Sequence, residues 1–227
     1  MNLLLNTPAL NVYEQMALDD VLVRQRPQET TLRFYHWAPG PAVTFGYAQS
    51  ISLVQHTVQA QDGPYTRRPT GGGVVFHRDD LTFSLVFVSK GSPREIYRRF
   101  HAQVAAQLGE QVYCLKDKLP AEAYRPNLTN QASACFVNPV EDDLLANDGH
   151  KVLGGALRRF GETVLYQGSL QLPSARIQPV YKRAIVQAVR NFLAVDLQPK
   201  SCPPELLQAA KELAVSCYQT DGWIRKF

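Results

Sequence analysis

LTFSLVFVSKGSPREIYRRFHAQVAAQLG, residues Leu81–Gly109, changes period halfway along. Leu81, Phe83, Leu85 and Phe87 alternate with Thr82, Ser84, Val86 and Val88, a period of two that predicts a core strand. Ser92-Pro93-Arg94-Glu95 then offers an N-cap, a proline at the first helical position and a glutamate at the third, the signature of a capping box. Ile96, Phe100, Val104 and Leu108 mark one face of the helix that follows, and Gly109 supplies its stop.

Working outward, Asn11–Arg24 has helical periodicity, with Val12, Met16 and Leu22 set among Glu14, Asp19 and Asp20. TLRFYHW (Thr31–Trp37) and AVTFGY (Ala42–Tyr47) are rich in aromatic and β-branched residues. The turn signal Ala38-Pro39-Gly40-Pro41 lies between them, so a strand pair is expected. Lys116–Ala134 is polar and proline-bearing, the composition of a surface loop. Strand patterns return over Lys151–Leu172, with a turn at Gly161-Glu162 that makes a hairpin. Helices are expected at Val180–Val195 and Glu205–Tyr218. Without a regular βαβ alternation, this order predicts an α+β domain with a largely antiparallel sheet flanked by helices.

The bulk properties narrow the class. A chain of 227 residues that is 45% hydrophobic and 19% charged suits one large domain spanning 1–227. No apolar run approaches the roughly 20 residues that a membrane span requires. The N-terminal MNLLLNTPALNVYEQ lacks a basic region and a small-residue cleavage site, so it reads as folded protein rather than a signal. Cys114, Cys135, Cys202 and Cys217 show neither CxxC pairing nor metal spacing, which points to a reducing cytoplasm and no metal centre. A net charge of +4 permits an acidic partner without demanding one and is low for a nucleic-acid binder.

Four features offer chemistry. RRPTGGGVVFH (Arg67–His77) places Gly71, Gly72 and Gly73 after two arginines. Glycines let a ligand approach the main chain, and successive N–H groups can bind an anion, although a tight turn between two strands is the commoner use of such a triplet. Guanidinium forks suit a carboxylate or phosphate, and adjacent arginines in a strand point to opposite faces, so one of Arg67 and Arg68 is expected to serve a site. His77 fits acid–base chemistry or a structural role. Lys151, entering a strand beside Gly154 and Gly155, can reach a pocket walled by bare backbone and stabilise a carbonyl oxygen, or can be a solvated turn lysine. Cys135 in ASACFVNP is either a nucleophile or a buried small residue.

Together these motifs resemble the biotin/lipoate A/B protein ligase family, in the branch of lipoate–protein ligases and cysteine-dependent octanoyltransferases. RRPTGGGVVFH is similar to that branch's arginine–glycine–histidine signature, KVLGGALRR (Lys151–Arg159) to its lysine motif, and LYQGSLQL (Leu165–Leu172) to the strand that follows. The resemblance implies a sheet flanked by helices related to class II aminoacyl-tRNA synthetases. It also implies a tunnel for a medium-chain acyl group, walled by the glycine loop, Gly154, Gly155, Ala156, Gln167 and Gly168, with Lys151 catalytic. The implied acceptors are lipoyl domains of 2-oxoacid dehydrogenases or the glycine cleavage H protein. As a transferase the chain takes octanoate from acyl carrier protein through a Cys135 thioester and needs no cofactor; as a ligase it uses ATP and Mg²⁺ with free lipoate. SACF around Cys135 and HRDDLTFS (His77–Ser84) are similar to the transferases, whereas Gly73 is a ligase habit. Gln167 in place of a histidine and Leu157 in place of a glutamine depart from both and leave room for a non-catalytic binder.

Overall fold

Asn11 opens the first helix by accepting the Tyr13 and Glu14 amides on its side chain, while Glu14 reaches back to the Asn11 amide, a complete capping box. The structure, a computed structural model, describes residues 1–117, 136 and 138–227. Its strands are β1 (Asn2–Asn6), β2 (Thr30–Phe34), β3 (Ala42–Phe45), β4 (Tyr65–Arg67), β5 (Val75–His77), β6 (Leu81–Val88), β7 (Val112–Cys114), β8 (Leu144–Ala146), β9 (Lys151–Phe160), β10 (Thr163–Leu170) and β11 (Gln198–Ser201). Its helices are α1 (Val12–Gln25), α2 (Ile51–Thr57), α3 (Pro93–Leu108), α4 (Pro179–Leu193), α5 (Pro204–Leu213) and α6 (Asp221–Ile224).

Eight strands form one sheet in the order β11-β1-β2-β6-β10-β9-β8-β7. β1 runs parallel to both neighbours and every other pairing is antiparallel, so the α+β architecture holds. β6 and α3 form where the change of period placed them. Ser92 Oγ accepts the Glu95 amide, and Gly109 ends α3 at φ +70°. The hairpin also forms, with Phe160 opposite Thr163 and Gly161 at φ +65° in the turn. α5 continues through a wider π-type turn, Ala214–Tyr218, along the second C-terminal helical segment.

The expected pairing of Thr31–Trp37 with Ala42–Tyr47 does not occur. β2 pairs with β1 and β6, whereas β3 pairs with β4 and β5 in a separate three-stranded sheet. Pro39 and Pro41 have no amide proton for a ladder, and Gly40 adopts φ +102°, so this segment carries the chain out of the large sheet. The expected loop over Lys116–Ala134 falls almost wholly outside the described residues.

One face of the large sheet buries Leu85, Phe87 and Tyr166 against Phe100 and Val104 of α3 and Ile185 and Val189 of α4. The other face packs Val86 and Leu165 against Leu18 and Leu22 of α1 and Leu206 of α5. The small sheet builds its own core from Val43, Phe45, Val54 and Val74 and also contacts α1. Among the described residues no helix is long and apolar enough to cross a membrane.

Candidate active site

The two sheets enclose a pocket. The small sheet contributes Thr44, Arg68, Val75 and His77, the β9–β10 hairpin contributes Gly154–Ala156 and Gln167–Ser169, and Thr82 and Phe136 complete the wall. Hairpin register explains the hairpin side: Gly154 lies opposite Ser169, Gly155 opposite Gly168 and Ala156 opposite Gln167, so small residues meet small residues. The space is about 30 Å³, and the surface that its lining presents is mostly apolar although Thr44, Arg68, His77, Thr82, Gln167 and Ser169 stand around it.

Each hairpin glycine answers a close contact. A Cβ on Gly155 would stand 2.1 Å from the Tyr166 hydroxyl, and one on Gly168 would stand 2.6 Å from Phe83 Cζ. Both belong to the helix-covered core, so these two glycines make room for aromatics behind the sheet. Gly154 is different. A Cβ there would meet Lys151 Cε at 2.9 Å and Phe136 Cζ at 3.2 Å, and its absence leaves the path that the lysine side chain takes.

Lys151 begins β9 and is 3% exposed at its side chain. Its ammonium reaches Asp143 Oδ2 at 2.8 Å and stands 5.4 Å from the Phe136 ring centroid, directly behind the pocket wall. Asp143 also accepts the Tyr97 hydroxyl and the Val140 amide. Neither Asp143 nor Tyr97 was expected from sequence: Asp143 is one of three consecutive acids, and only the β8–β9 pairing selects it.

The glycine loop is tied to the pocket through Arg68, and none of its three glycines lines the space. Gly71 and Gly72 are exposed, Gly73 is buried, and Gly72 takes φ +91°. The loop lies on Gly46, where a Cβ would collide with the Gly72 carbonyl oxygen at 1.9 Å. The two arginines diverge. Arg68 lines the pocket and donates to Thr44 Oγ1 and to the carbonyls of Gly71 and Gly73, at 2.8–2.9 Å. Arg67 faces away, fully buried, and donates to the carbonyls of Tyr47, Gln49, Trp223 and Ile224.

His77 is stacked under Trp37, meets Thr44 Oγ1 through Nε2 at 2.8 Å, and donates from Nδ1 to Asp80 at 2.9 Å. Burial alone would raise the Asp80 carboxyl. The His77 charge and the hydrogen bonds from His77, Ser169 and Thr82 outweigh it and hold that group at about 2. Gln167 accepts from Thr70 beside the glycine triplet and donates to the buried Asp19, which in turn holds Arg33, Ser84 and Tyr35. Cys135 lies outside the described residues; Phe136, next to it in the chain, lines the pocket.

The lipoyl protein ligase A/B catalytic-domain model matches residues 11–191, a span that contains the pocket and Lys151. The chain belongs to this family. An octanoyltransferase LipM from Moorella thermoacetica is 32% identical over 179 residues, covering 74% of this chain and 64% of the relative's own length. The Bacillus anthracis octanoyltransferase LipM is 32% identical over 269 residues, covering 96% of this chain and 94% of the relative. The bi-partite lipoate protein ligase from Thermoplasma acidophilum, solved in a study of that ligase and its E2 lipoyl domain, shares the fold. Its TM-score is 0.73 at 20% identity, over 99% of this chain and 95% of that one. In this chain Arg68 and His77 from the arginine–glycine–histidine stretch, Gly154–Ala156 from the lysine motif and Gln167–Ser169 from its hairpin partner line one pocket.

Proposed function

We propose that this protein attaches a lipoyl-type acyl group to the acceptor lysine of lipoyl domains, acting as an octanoyl-[acyl carrier protein]:protein octanoyltransferase. The observation that carries the reading is the buried Lys151 ammonium beside Gly154 and Phe136, two residues that line the pocket. The relatives' name supports the octanoyl donor, and the ligase–lipoyl domain system that shares the fold supports a lipoyl-domain acceptor.

In this reading the Cys135 thiolate attacks the thioester carbonyl of the carrier. A new C–S bond forms, the bond to the carrier sulfur breaks, and the carrier leaves as its thiol. The Lys151 ammonium and the backbone N–H groups near Gly71–Gly73 stabilise the developing oxyanion. The neutral amine of the acceptor lysine then forms the amide, releases the Cys135 thiolate and loses its proton to solvent. Among the described residues, the Arg67 and Arg68 guanidinium groups are engaged by backbone carbonyls rather than turned out toward a phosphate, which favours this chemistry over a ligase using ATP and Mg²⁺.

The test is a donor swap on an apo lipoyl domain, read as mass gain. Octanoyl carrier protein without ATP should acylate the domain, and Cys135→Ser should abolish both the gain and a hydroxylamine-labile octanoyl adduct on the enzyme. Gain only with lipoate plus ATP would instead make the protein a ligase, and no gain with either donor would make it a non-catalytic binder.

A further inference from the structure

The Lys151 ammonium is held by a closed loop of contacts that begins and ends on its own strand. It meets Asp143 Oδ2 at 2.8 Å, and the Asp143 side chain is fully buried. That same oxygen accepts the Val140 amide at 2.7 Å, while Oδ1 takes the proton of the Tyr97 hydroxyl. Tyr97 Oη in turn accepts the Gly155 amide at 3.4 Å. The Tyr97 ring rests on His101, 3.9 Å between centroids. His101 is fixed at both nitrogens: Nδ1–H donates to the Asp142 carbonyl at 2.8 Å, and Nε2 receives the Tyr166 hydroxyl at 2.7 Å. The Tyr166 hydroxyl fills the space beneath Gly155. The loop therefore leaves β9 at Lys151, passes through Asp143 and Tyr97, and returns at Gly155, enclosing Gly154 of the pocket wall.

A lysine side chain is a flexible stem with a compact charge, and an ammonium that stabilises a developing oxyanion is effective only when held in place before the reaction. We infer that Asp143 and Tyr97 are positioning residues for acyl transfer: the Asp143 carboxylate fixes the Lys151 ammonium against Gly154, and Tyr97 fixes that carboxylate to the backbone of the pocket strand. This rests on the role proposed for Lys151 and deepens it. Neither Asp143 nor Tyr97 lines the pocket, so their effect falls on turnover rather than on acceptor binding.

Two near-isosteric variants test the inference. Asp143→Asn keeps the shape and removes the charge; Tyr97→Phe keeps the ring stack and removes the hydroxyl. Loss of a preorganised contact at this level should lower kcat about a hundredfold in the first and about tenfold in the second, with KM for the lipoyl domain unchanged. Independently of activity, 15N-lysine labelling should give a protected Lys151 ammonium resonance, assigned by its loss in Lys151→Arg, that shifts or exchanges away in Asp143→Asn. If Asp143→Asn does not fold, Tyr97→Phe supplies the same readouts. A folded variant with wild-type kcat, a rise in KM alone, or an unmoved Lys151 resonance would overturn the inference and leave the pair a purely structural contact. If the wild-type protein transfers no acyl group from any donor, the proposed function falls, while the resonance still decides whether these residues hold the ammonium.

Discussion

His101 shows how burial can turn one side chain into a pH-dependent load on the fold. Burial pushes its imidazole down to about 3; the Asp142 carbonyl opposes that shift and the Lys151 charge adds to it. The folded value lies below the unfolded one of about 6.5, so the unfolded chain binds a proton that the folded chain refuses. The associated stability is complete above that unfolded value and is lost as pH falls toward the folded one. Between pH 7 and pH 5 the loss amounts to about 2 kcal/mol. His101→Gln can keep both hydrogen bonds without titrating, so chemical unfolding at these two pH values should show that loss in the wild type and not in the variant. Equal losses in both proteins would place the titration elsewhere. Nothing in the sequence marks His101, because it stands next to Phe100 on the helix and its partners come from β10 and the segment before β8. Lys151 could be singled out because KVLGGALRR resembles the family's lysine motif, and Gly154, which clears its path, stands three residues on in the chain.

At the scale of elements, what was legible is what is decided locally. α3 starts at Ser92 because the Oγ satisfies the Glu95 amide and Pro93 has no amide to satisfy. Ser92→Ala should therefore lower stability by about 1 kcal/mol, measured by denaturant midpoint at constant slope. Acyl transfer at low temperature should be unaffected, since the cap is exposed and remote from the pocket; a change larger than the cap is worth would mean that the serine does more than cap. β2 and β3 were misjudged because their composition is that of strands, while partner choice depends on where the prolines between them send the chain. The polar face of α1 carries a contact that periodicity does not show: Arg33 is fully buried opposite Gln15 and Asp19, with hydrogen bonds of 2.6–2.7 Å to both. The polar positions of β6 are buried too: Ser84 joins Asp19, and Thr82 lines the pocket. A periodic pattern reports that two faces differ, not that one of them meets water.

For the molecule as a whole, the paired arginines divide the labour between fold and site, and they can be separated experimentally. Arg67 ties together parts of the chain far apart in sequence, because its guanidinium bonds the carbonyls of Tyr47 and Gln49 on one side and of Trp223 and Ile224 on the other. The Trp223 indole reciprocates by donating to the Arg67 carbonyl at 2.9 Å. A lysine keeps the charge, but its donors diverge from one point and cannot span four carbonyls, so at least one buried acceptor is left without a partner. Arg67→Lys should cost about 2–3 kcal/mol, equivalent to a drop in Tm of about 4–12 °C for a chain of this size. Its kcat, measured well below that Tm, should stay near the wild-type value because Arg67 faces away from the pocket. Arg68→Lys should behave in the opposite sense. It loosens a pocket-lining side chain from the carbonyls of Gly71 and Gly73, so transfer should fall about tenfold while Tm moves less than in Arg67→Lys. If the two variants instead lose activity in proportion to their loss of Tm, the arginines form one structural unit, and the loop owes its position to the fold at large rather than to Arg68.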